Sequence, residues 1–456
     1  MVVVFAAFWA VVNRRQARMW LLLAASYFFY GSWEFWYLSL IVFSTFLDYW
    51  CGGKIHGSSD PATRKRFLLV SLIGNLGVLS FFKYFDWGLE TVAIVLEKLG
   101  VESSIGPLGI LVPVGISFYT FQTLSYTIDI YRGVLKPARN MKEFALFVAF
   151  FPQLVAGPIV RAVEFLPQLE NRPKLGRADL HNGVYRIGLG LAKKVVIADQ
   201  LGGFLVDPVY GDPTSYTFVA HLLAIYGFAF QIYFDFSGYS DIAIGAARLF
   251  GFRLPENFDL PYRSASVREF WRRWHISLSS WVRDYIYFPL GGSRGSELRV
   301  VRNLILTMLI IGLWHGASWL WVCYGLLNGV TMALERWFER LRGGALFATT
   351  RFKTFLSWAL TFHFIAFSTI FIRATSMENA WDMVAGLGDI GEIPRPFLYA
   401  LVGGVLTHFV PRRFTDGIGL GLQRLPTVVC GLVLGVVVGV VAMLVVGETP
   451  YIYFQF

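Results

Sequence analysis

The stretch from Asn303 to Leu334 reads NLILTMLIIGLWHGASWLWVCYGLLNGVTMAL, and none of its 32 residues is Asp, Glu, Lys or Arg. A helix crosses a bilayer with about 20 apolar residues, so this stretch is long enough to span a membrane. It nevertheless contains an ionisable imidazole, His315. An ionisable group in hydrocarbon is costly unless it is neutral, paired or in contact with water. His315 is therefore either a neutral histidine hydrogen-bonded between helices or a functional group inside the membrane.

The rest of the chain also has the composition of a membrane protein. Its 456 residues are 55% hydrophobic and 15% charged, whereas a soluble domain carries about 25% charged residues. Further uncharged runs are Ser103–Thr127, Phe144–Val160, Pro213–Phe234, Phe355–Ile372 and Leu425–Gly447. The sequence predicts an all-α polytopic membrane protein in which residues 1–456 form a single membrane domain. We expect about 11 transmembrane helices, with additional re-entrant and interfacial helices.

The net charge of +10 indicates orientation in a membrane rather than a nucleic-acid partner. The basic segments NRRQAR (13–18) and TRKRF (63–67) flank the apolar hairpin Met19–Trp50. Short basic loops stay on the cytoplasmic side, so the turn of this hairpin is expected outside. The arginine-rich segment Arg253–Arg302 is expected to be cytoplasmic for the same reason. The apolar N-terminal stretch precedes its arginines, which is typical of a retained, short first membrane segment rather than a signal peptide.

Two segments do not have the pattern of a clean transmembrane helix. FFPQLVAGPIVRA (150–162) contains Pro152 and Pro158 around Gly157, which predicts a re-entrant or broken segment. Trp87–Gly106 is mixed in polarity and predicts an interfacial segment.

The stretch SVREFWRRWHISLSSWVRDYIYFPLGG (266–292) has two stripes at helical spacing. One stripe consists of Trp271, Trp274, Leu278 and Trp281, and the other consists of Arg268, Arg272, His275 and Ser279. An amphipathic helix lying in the membrane interface accounts for this pattern. Alternatively, the arginines bind the phosphates of a cytosolic donor and His275 contacts its reactive end.

Other polar groups in apolar surroundings have structural explanations. Asp235 and Asp241, in QIYFDFSGYSDIAIG (231–245), mark an internal polar site. Alternatively, their carboxylates could simply accept bonds from arginines of the next segment. His363 is expected to be an interhelical hydrogen-bonding group. The seven histidines and three cysteines lack metal-ligand spacing, so neither a metal nor a permanently bound cofactor is expected. Common hydrolase, metalloprotease and nucleotide-binding motifs do not occur.

Several of these stretches together resemble one family. FWRRWHISLSSWVRDYIYFPLGGSRG (270–295), GLWHGASW (312–319), FYTFQTLSYTIDIYRG (118–133) and PENFDLPYRS (255–264) are similar to membrane-bound O-acyltransferases, within the subgroup that O-acetylates alginate and other polysaccharides. The resemblance implies a helical fold enclosing a funnel or tunnel, in a multi-pass protein of the bacterial inner membrane. It also implies a cytoplasmic thioester donor, acetyl-CoA. The acceptor would be a hydroxyl of an extracytoplasmic polysaccharide or a periplasmic SGNH-type acetyltransferase partner.

The resemblance also assigns roles to residues. Catalysis falls to His315 and His275, and donor binding falls to Arg268, Arg272, Trp271 and Trp314. His315 follows Arg302 by thirteen residues, or about 20 Å along a helix, which places it near the middle of the bilayer. There a neutral imidazole can accept the proton of the acceptor hydroxyl. Trp314 and Trp319 flank His315 and are expected to exclude water.

Three alternatives remain at this point. The chain could be a D-alanyl transferase of the teichoic-acid type, which uses a carrier-protein thioester. It could also be a non-catalytic transporter or flippase, because buried polar groups line substrate paths too. A structural scaffold in an export complex is the third. The two-histidine motif and the absence of an internal repeat favour acyl transfer.

Overall fold

The computed structural model describes residues 1–102, 104–154, 157–341, 350–386 and 395–410, with isolated positions beyond residue 410. Every regular element in this part of the chain is a helix, which confirms the all-α prediction. Four of the described helices are long and apolar enough to cross a membrane: Pro61–Lys98, Phe218–Leu249, Glu297–His315 and Arg351–Arg373. The chain is a polytopic membrane protein, and the count of about 11 spanning helices stays a prediction. The run Leu425–Gly447 lies, apart from isolated positions, outside the described residues.

The chain forms two compact units. The first comprises Met1–Gly183 and Ala246–Pro255, and the second comprises Val184–Gly245 and Glu256–Phe456. The single membrane domain over residues 1–456 stays a prediction. The helices are α1 (Val2–Ala10), α2 (Arg15–Gly31), α3 (Leu38–Gly57), α4 (Pro61–Lys98), α5 (Ile116–Tyr131), α6 (Met141–Ala149), α7 (Ala162–Glu170), α8 (Arg177–Ala192), α9 (Asp199–Leu201), α10 (Asp207–Gly211), α11 (Phe218–Leu249), α12 (Val267–Arg273), α13 (Ile276–Val282), α14 (Glu297–His315), α15 (Trp319–Leu341), α16 (Arg351–Ser368), α17 (Ile370–Arg373), α18 (Met377–Ala385) and α19 (Arg395–Phe409).

In the first unit, the predicted hairpin is formed by α2 and α3, with a short 3₁₀ turn at Phe35–Tyr37 between them. Helix α4 begins at an Asp60 cap and runs without interruption to Lys98. The segment Trp87–Gly106 is therefore helical as far as Lys98, and its interfacial location stays a prediction. No proline interrupts this stretch, and the helix ends only where Gly100 adopts a left-handed φ of +75°.

The uncharged runs of the first unit are only partly helical. Helix α5 starts at Ile116, after Pro113 and a left-handed Gly115, so the first part of Ser103–Thr127 is not helical in its described residues. Helix α6 ends at Ala149, and the described residues between α6 and α7 contain no helix. This confirms the prediction of a broken segment around the two prolines.

A buried polar cluster joins three helices of the first unit. Asp48 on α3 is fully buried and accepts hydrogen bonds from Ser71 and Asn75 of α4. Thr127 of α5 donates to the same carboxylate at 3.3 Å. Because buried polar groups need partners, these bonds fix how α3, α4 and α5 face one another.

In the second unit, the uncharged run around His315 folds into a hairpin of α14 and α15. The two helices are in backbone contact: a Cβ at Gly325 would lie 2.6 Å from the Met308 carbonyl oxygen, and one at Gly329 would lie 2.9 Å from Ile305 Cα. Small residues allow membrane helices to approach this closely. The hairpin therefore holds His315, the last residue of α14, on a rigid element.

Candidate active site

The arginine-rich stretch forms two short helices where a single helix was predicted. Helix α12 ends before Trp274, whose backbone is extended, and His275 adopts a left-handed φ of +43°. Helix α13 then starts at Ile276. The prediction that His275 shares a helical stripe with Arg268 and Arg272 is therefore wrong, because the chain changes direction at Trp274 and His275.

His275 is fully buried, and Asn257 holds its ring. The Nδ1 atom of His275 lies 3.0 Å from Asn257 Oδ1. The same oxygen accepts the Ser277 hydroxyl at 2.9 Å, and Asn257 Nδ2 donates to Ser240 Oγ of α11 at 3.2 Å. The Phe236 ring packs edge-on against the imidazole, with centroids 4.8 Å apart. These contacts hold the imidazole in one orientation.

His315 lies at the point where the α14–α15 hairpin reverses. Gly316 follows it in extended conformation, and a Cβ on Gly316 would collide with the Trp321 indole. Trp321 stacks on the His315 ring, with centroids 5.1 Å apart and planes 17° from parallel. His315 is half-buried, whereas Trp319 is about half exposed. The tight turn thus places the His315 imidazole against the Trp321 indole, whereas the sequence indicates Trp314 and Trp319 as its neighbours.

The two histidines meet in the second unit. Their ring centroids lie 6.2 Å apart. The buried Trp314 ring lies 5.9 Å from His275 and 4.9 Å from His315. Burial, and secondly the neighbouring His315, lower the pKa of His275 well below its usual range. His275 is therefore a neutral imidazole at neutral pH. The pair thus contains an imidazole that can accept a proton, as a general base must.

Arg268 is engaged by carboxylates of α15. Its guanidinium forms an ion pair with Glu339, and its Nε lies 3.5 Å from Glu335. Glu335 also accepts the backbone N–H groups of Val267 and Arg268, at 2.6 and 3.3 Å. Arg268 thus anchors the start of α12 on α15, and a donor phosphate would have to compete with two carboxylates.

The other three predicted donor-binding residues have different surroundings. Trp271 is buried and donates its indole N–H to Asn328 of α15 at 3.2 Å. Trp314 is buried beside the histidine pair. Arg272 is exposed and forms no ion pair with the described part of the chain. Donor binding stays a prediction for all of them, and Arg272 is the arginine whose surroundings leave it able to bind an anion.

The carboxylates of α11 pair with lysines of the preceding segment. Lys194 lies 2.6 Å from Asp235 and 2.8 Å from Asp199, all three nearly buried. Lys193 lies 2.6 Å from Asp241. Both lysines belong to a π turn, Lys193–Ala198, that continues α8. π-helical turns often occur at functional sites. This one directs two successive lysines toward α11, where both pair with carboxylates.

The expectation for His363 is also wrong in one respect. Its Nδ1 is 2.7 Å from the Ala359 carbonyl oxygen of its own helix, so this hydrogen bond is not interhelical. Its ring does contact Tyr226 of α11, with centroids 5.6 Å apart. The His363 side chain is exposed and is not part of the pair formed by His275 and His315.

Sequence reasoning missed four contributors to this region: Asn257, Trp321, Lys193 and Lys194. Asn257 lies in the stretch PENFDLPYRS (255–264), where no local pattern indicates its contact with His275. The two adjacent lysines interrupt an otherwise apolar stretch, and that signal was available. The stacking of Trp321 on His315 required knowledge of the turn at Gly316.

Comparison with known proteins places both histidines inside a family domain. Residues 134–349 match the model of the membrane-bound O-acyltransferase family. A probable alginate O-acetylase of Azotobacter vinelandii is 41% identical, over 82% of this chain and 73% of the relative. A peptidoglycan O-acetyltransferase of Helicobacter pylori is 37% identical, over 81% of this chain and 73% of the relative. A teichoic acid D-alanyltransferase of Bacillus subtilis is 31% identical over 56% of this chain and 66% of its own. With such similarity over most of its length, and with the paired histidines inside the matched domain, the chain belongs to the membrane-bound O-acyltransferase family.

Proposed function

We propose that this chain transfers an acetyl group from acetyl-CoA, on the cytoplasmic side of a bacterial inner membrane, to a hydroxyl on the outer side. The observation that carries the proposal is the pair His275 and His315, which lie 6.2 Å apart beside Trp314. The acceptor is a polysaccharide, or a periplasmic SGNH-type acetyltransferase partner that passes the acetyl group on. Relatives named for alginate and peptidoglycan acetylation support this acceptor class.

In the proposed mechanism, His315 is the general base. It takes the proton of the acceptor hydroxyl as that oxygen attacks the acyl carbon of the thioester. The carbon–sulfur bond then breaks, and the imidazolium returns the proton to the leaving thiolate. The step has no net proton gain or loss. The indoles of Trp314 and Trp321, against the His315 ring, keep water from competing with the acceptor.

Arg272 is the residue with which we test donor binding. We expect Arg272→Ala to raise the KM for acetyl-CoA about tenfold while changing kcat little, because a phosphate contact is made equally in the ground and transition states. Steady-state kinetics of the purified protein measures both constants. Arg294→Ala is the matched control, since Arg294 is also exposed. An unchanged KM in the Arg272 variant would contradict donor binding by Arg272 and would favour an interfacial role for residues 266–292.

The proposed orientation places Arg253–Arg302 on the cytoplasmic side. We expect cysteines introduced at the exposed positions Ser293 and Ser296 to be labelled only from the cytoplasm, in a chain whose three native cysteines are replaced. Ser32→Cys, in the exposed α2–α3 turn, is the opposite-side control. Labelling of Ser293→Cys from the periplasm would reverse the orientation.

The direct test is transfer of labelled acetyl groups by the purified protein in lipid vesicles. Acetyl-CoA is supplied on one side and an alginate or peptidoglycan fragment is supplied on the other, with and without a periplasmic SGNH-type partner. Acetyl esters on the fragment support the proposal. Activity only with a D-alanyl carrier protein would identify the teichoic-acid type of reaction, and transport of the fragment without ester formation would identify a flippase.

A further inference from the structure

The position of the Asn257 side chain settles which of its atoms is oxygen. One terminal atom lies 3.3 Å from the backbone nitrogen of Ser277, a group that can only donate. That atom must therefore be the carbonyl oxygen Oδ1. The other terminal atom, Nδ2, is placed to donate to Ser240 Oγ at 3.2 Å.

This assignment fixes the proton on His275. Its Nδ1 lies 3.0 Å from Asn257 Oδ1, and an amide oxygen only accepts. The nitrogen facing it must then carry the hydrogen. In a neutral imidazole one nitrogen donates and the other accepts, so the lone pair of His275 is on Nε2.

The backbone supports the same arrangement. The Asn257 carbonyl oxygen accepts the N–H of Ile276 at 2.9 Å, directly after the left-handed His275. A non-glycine residue keeps this conformation only when its surroundings impose it. Asn257 therefore holds both the ring and the backbone of His275, from a position eighteen residues earlier in the chain.

We infer that Asn257 is a positioning residue, which fixes His275 as the neutral Nδ1–H tautomer and leaves Nε2 to accept a hydrogen bond or a proton in the acyl-transfer site. This inference rests on the proposed function for its role in the reaction, but the tautomer itself does not. It makes the part of His275 specific. A histidine held in this way presents an accepting nitrogen beside His315.

The tautomer is measured by ¹⁵N nuclear magnetic resonance of histidine-labelled full-length protein. Protonated and unprotonated ring nitrogens differ clearly in chemical shift, and His275→Gln identifies the signal among the seven histidines. We expect protonated Nδ1 and unprotonated Nε2 in the native chain. Asn257→Leu should abolish this signature and lower kcat at least about tenfold with little change in donor KM. Asn257→Asp keeps an accepting oxygen, so it should retain the Nδ1–H signature and restore most of the kcat.

Asn75→Leu is the matched control for loss of a buried amide, because Asn75 is equally buried and lies in the first unit. It should destabilise the protein without altering the His275 signal. A native His275 protonated on Nε2 overturns the inference, whatever the transfer assay shows. An Asn257→Leu variant that loses the signature but keeps its kcat overturns the positioning role. Normal transfer by His315→Ala, by contrast, would overturn the proposed mechanism and leave the tautomer standing.

Discussion

His315→Ala should abolish transfer while the protein still folds. The substitution removes the proposed base, and general-base catalysis contributes about 10²–10⁴ in rate, so we expect a loss of at least about 10². The imidazole contacts the rings of Trp314 and Trp321 but is only half-buried, so the effect on folding should be small. The measurement is the number of acetyl esters on polysaccharide from cells that contain equal amounts of each variant.

His363→Ala is the matched control for His315→Ala. His363 is also a histidine on an apolar helix, but it is exposed and bonded to its own helix at Ala359. We expect it to acetylate at nearly the native level. His275→Ala should lose both stability and activity, because His275 is fully buried and bonded to Asn257. Native acetylation by His315→Ala would show that its imidazole has only a structural role.

Among the substitutions proposed here, Lys194→Met should lower the free energy of unfolding the most. Lys194 lies between Asp235 and Asp199, and the three side chains are 8%, 1% and 10% exposed. Removing the cation leaves two carboxylates buried together, and breaking a buried pair in this way costs about 3–5 kcal/mol. We expect little folded protein by size-exclusion chromatography in detergent and a much lower unfolding temperature.

A triple variant separates charge from packing. Lys194→Met combined with Asp199→Asn and Asp235→Asn removes all three charges, and such replacements are often neutral or stabilising, so most of the folded protein should return. Arg139→Met is the matched control in an exposed pair: Arg139 lies 3.0 Å from Glu170, with the side chains 59% and 46% exposed. Its cost should be no more than about 1 kcal/mol. A stable Lys194→Met single variant would show that the carboxylates find other partners.

Local patterns predicted the helices better than the contacts between them. The hairpin of α2 and α3 and the broken segment around Pro152 and Pro158 followed from runs of apolar residues and from helix-breaking residues. Periodicity assumes a continuous helix, so it could not predict the change of direction at His275. That conformation depends on Asn257, which is distant in sequence.

The candidate site was predictable to a similar extent. The family resemblance identified both histidines, and the structure brings them together. The continuous helical stripe was wrong because spacing alone assumes an unbroken helix, and Arg268 lies against Glu335 and Glu339. Donor binding by these residues stays a prediction. Both carboxylates lie on α15, which is distant from Arg268 in sequence. Tertiary packing brings them together, and no local sequence pattern predicts such contacts.

The Lys194–Asp235 pair also bears on how the protein is made. The lysine is synthesised about forty residues before its partner on α11. Its other partner, Asp199, is on the same segment, so only the bond to Asp235 has to wait for α11. A charged side chain at the centre of a bilayer is disfavoured by about 2.5–3.5 kcal/mol on the translocon scale. The segment that carries it should therefore wait at the translocon or at the lipid headgroups until α11 emerges. The two segments would then enter the bilayer together with their charged side chains already paired, which makes insertion a cooperative step rather than one helix at a time.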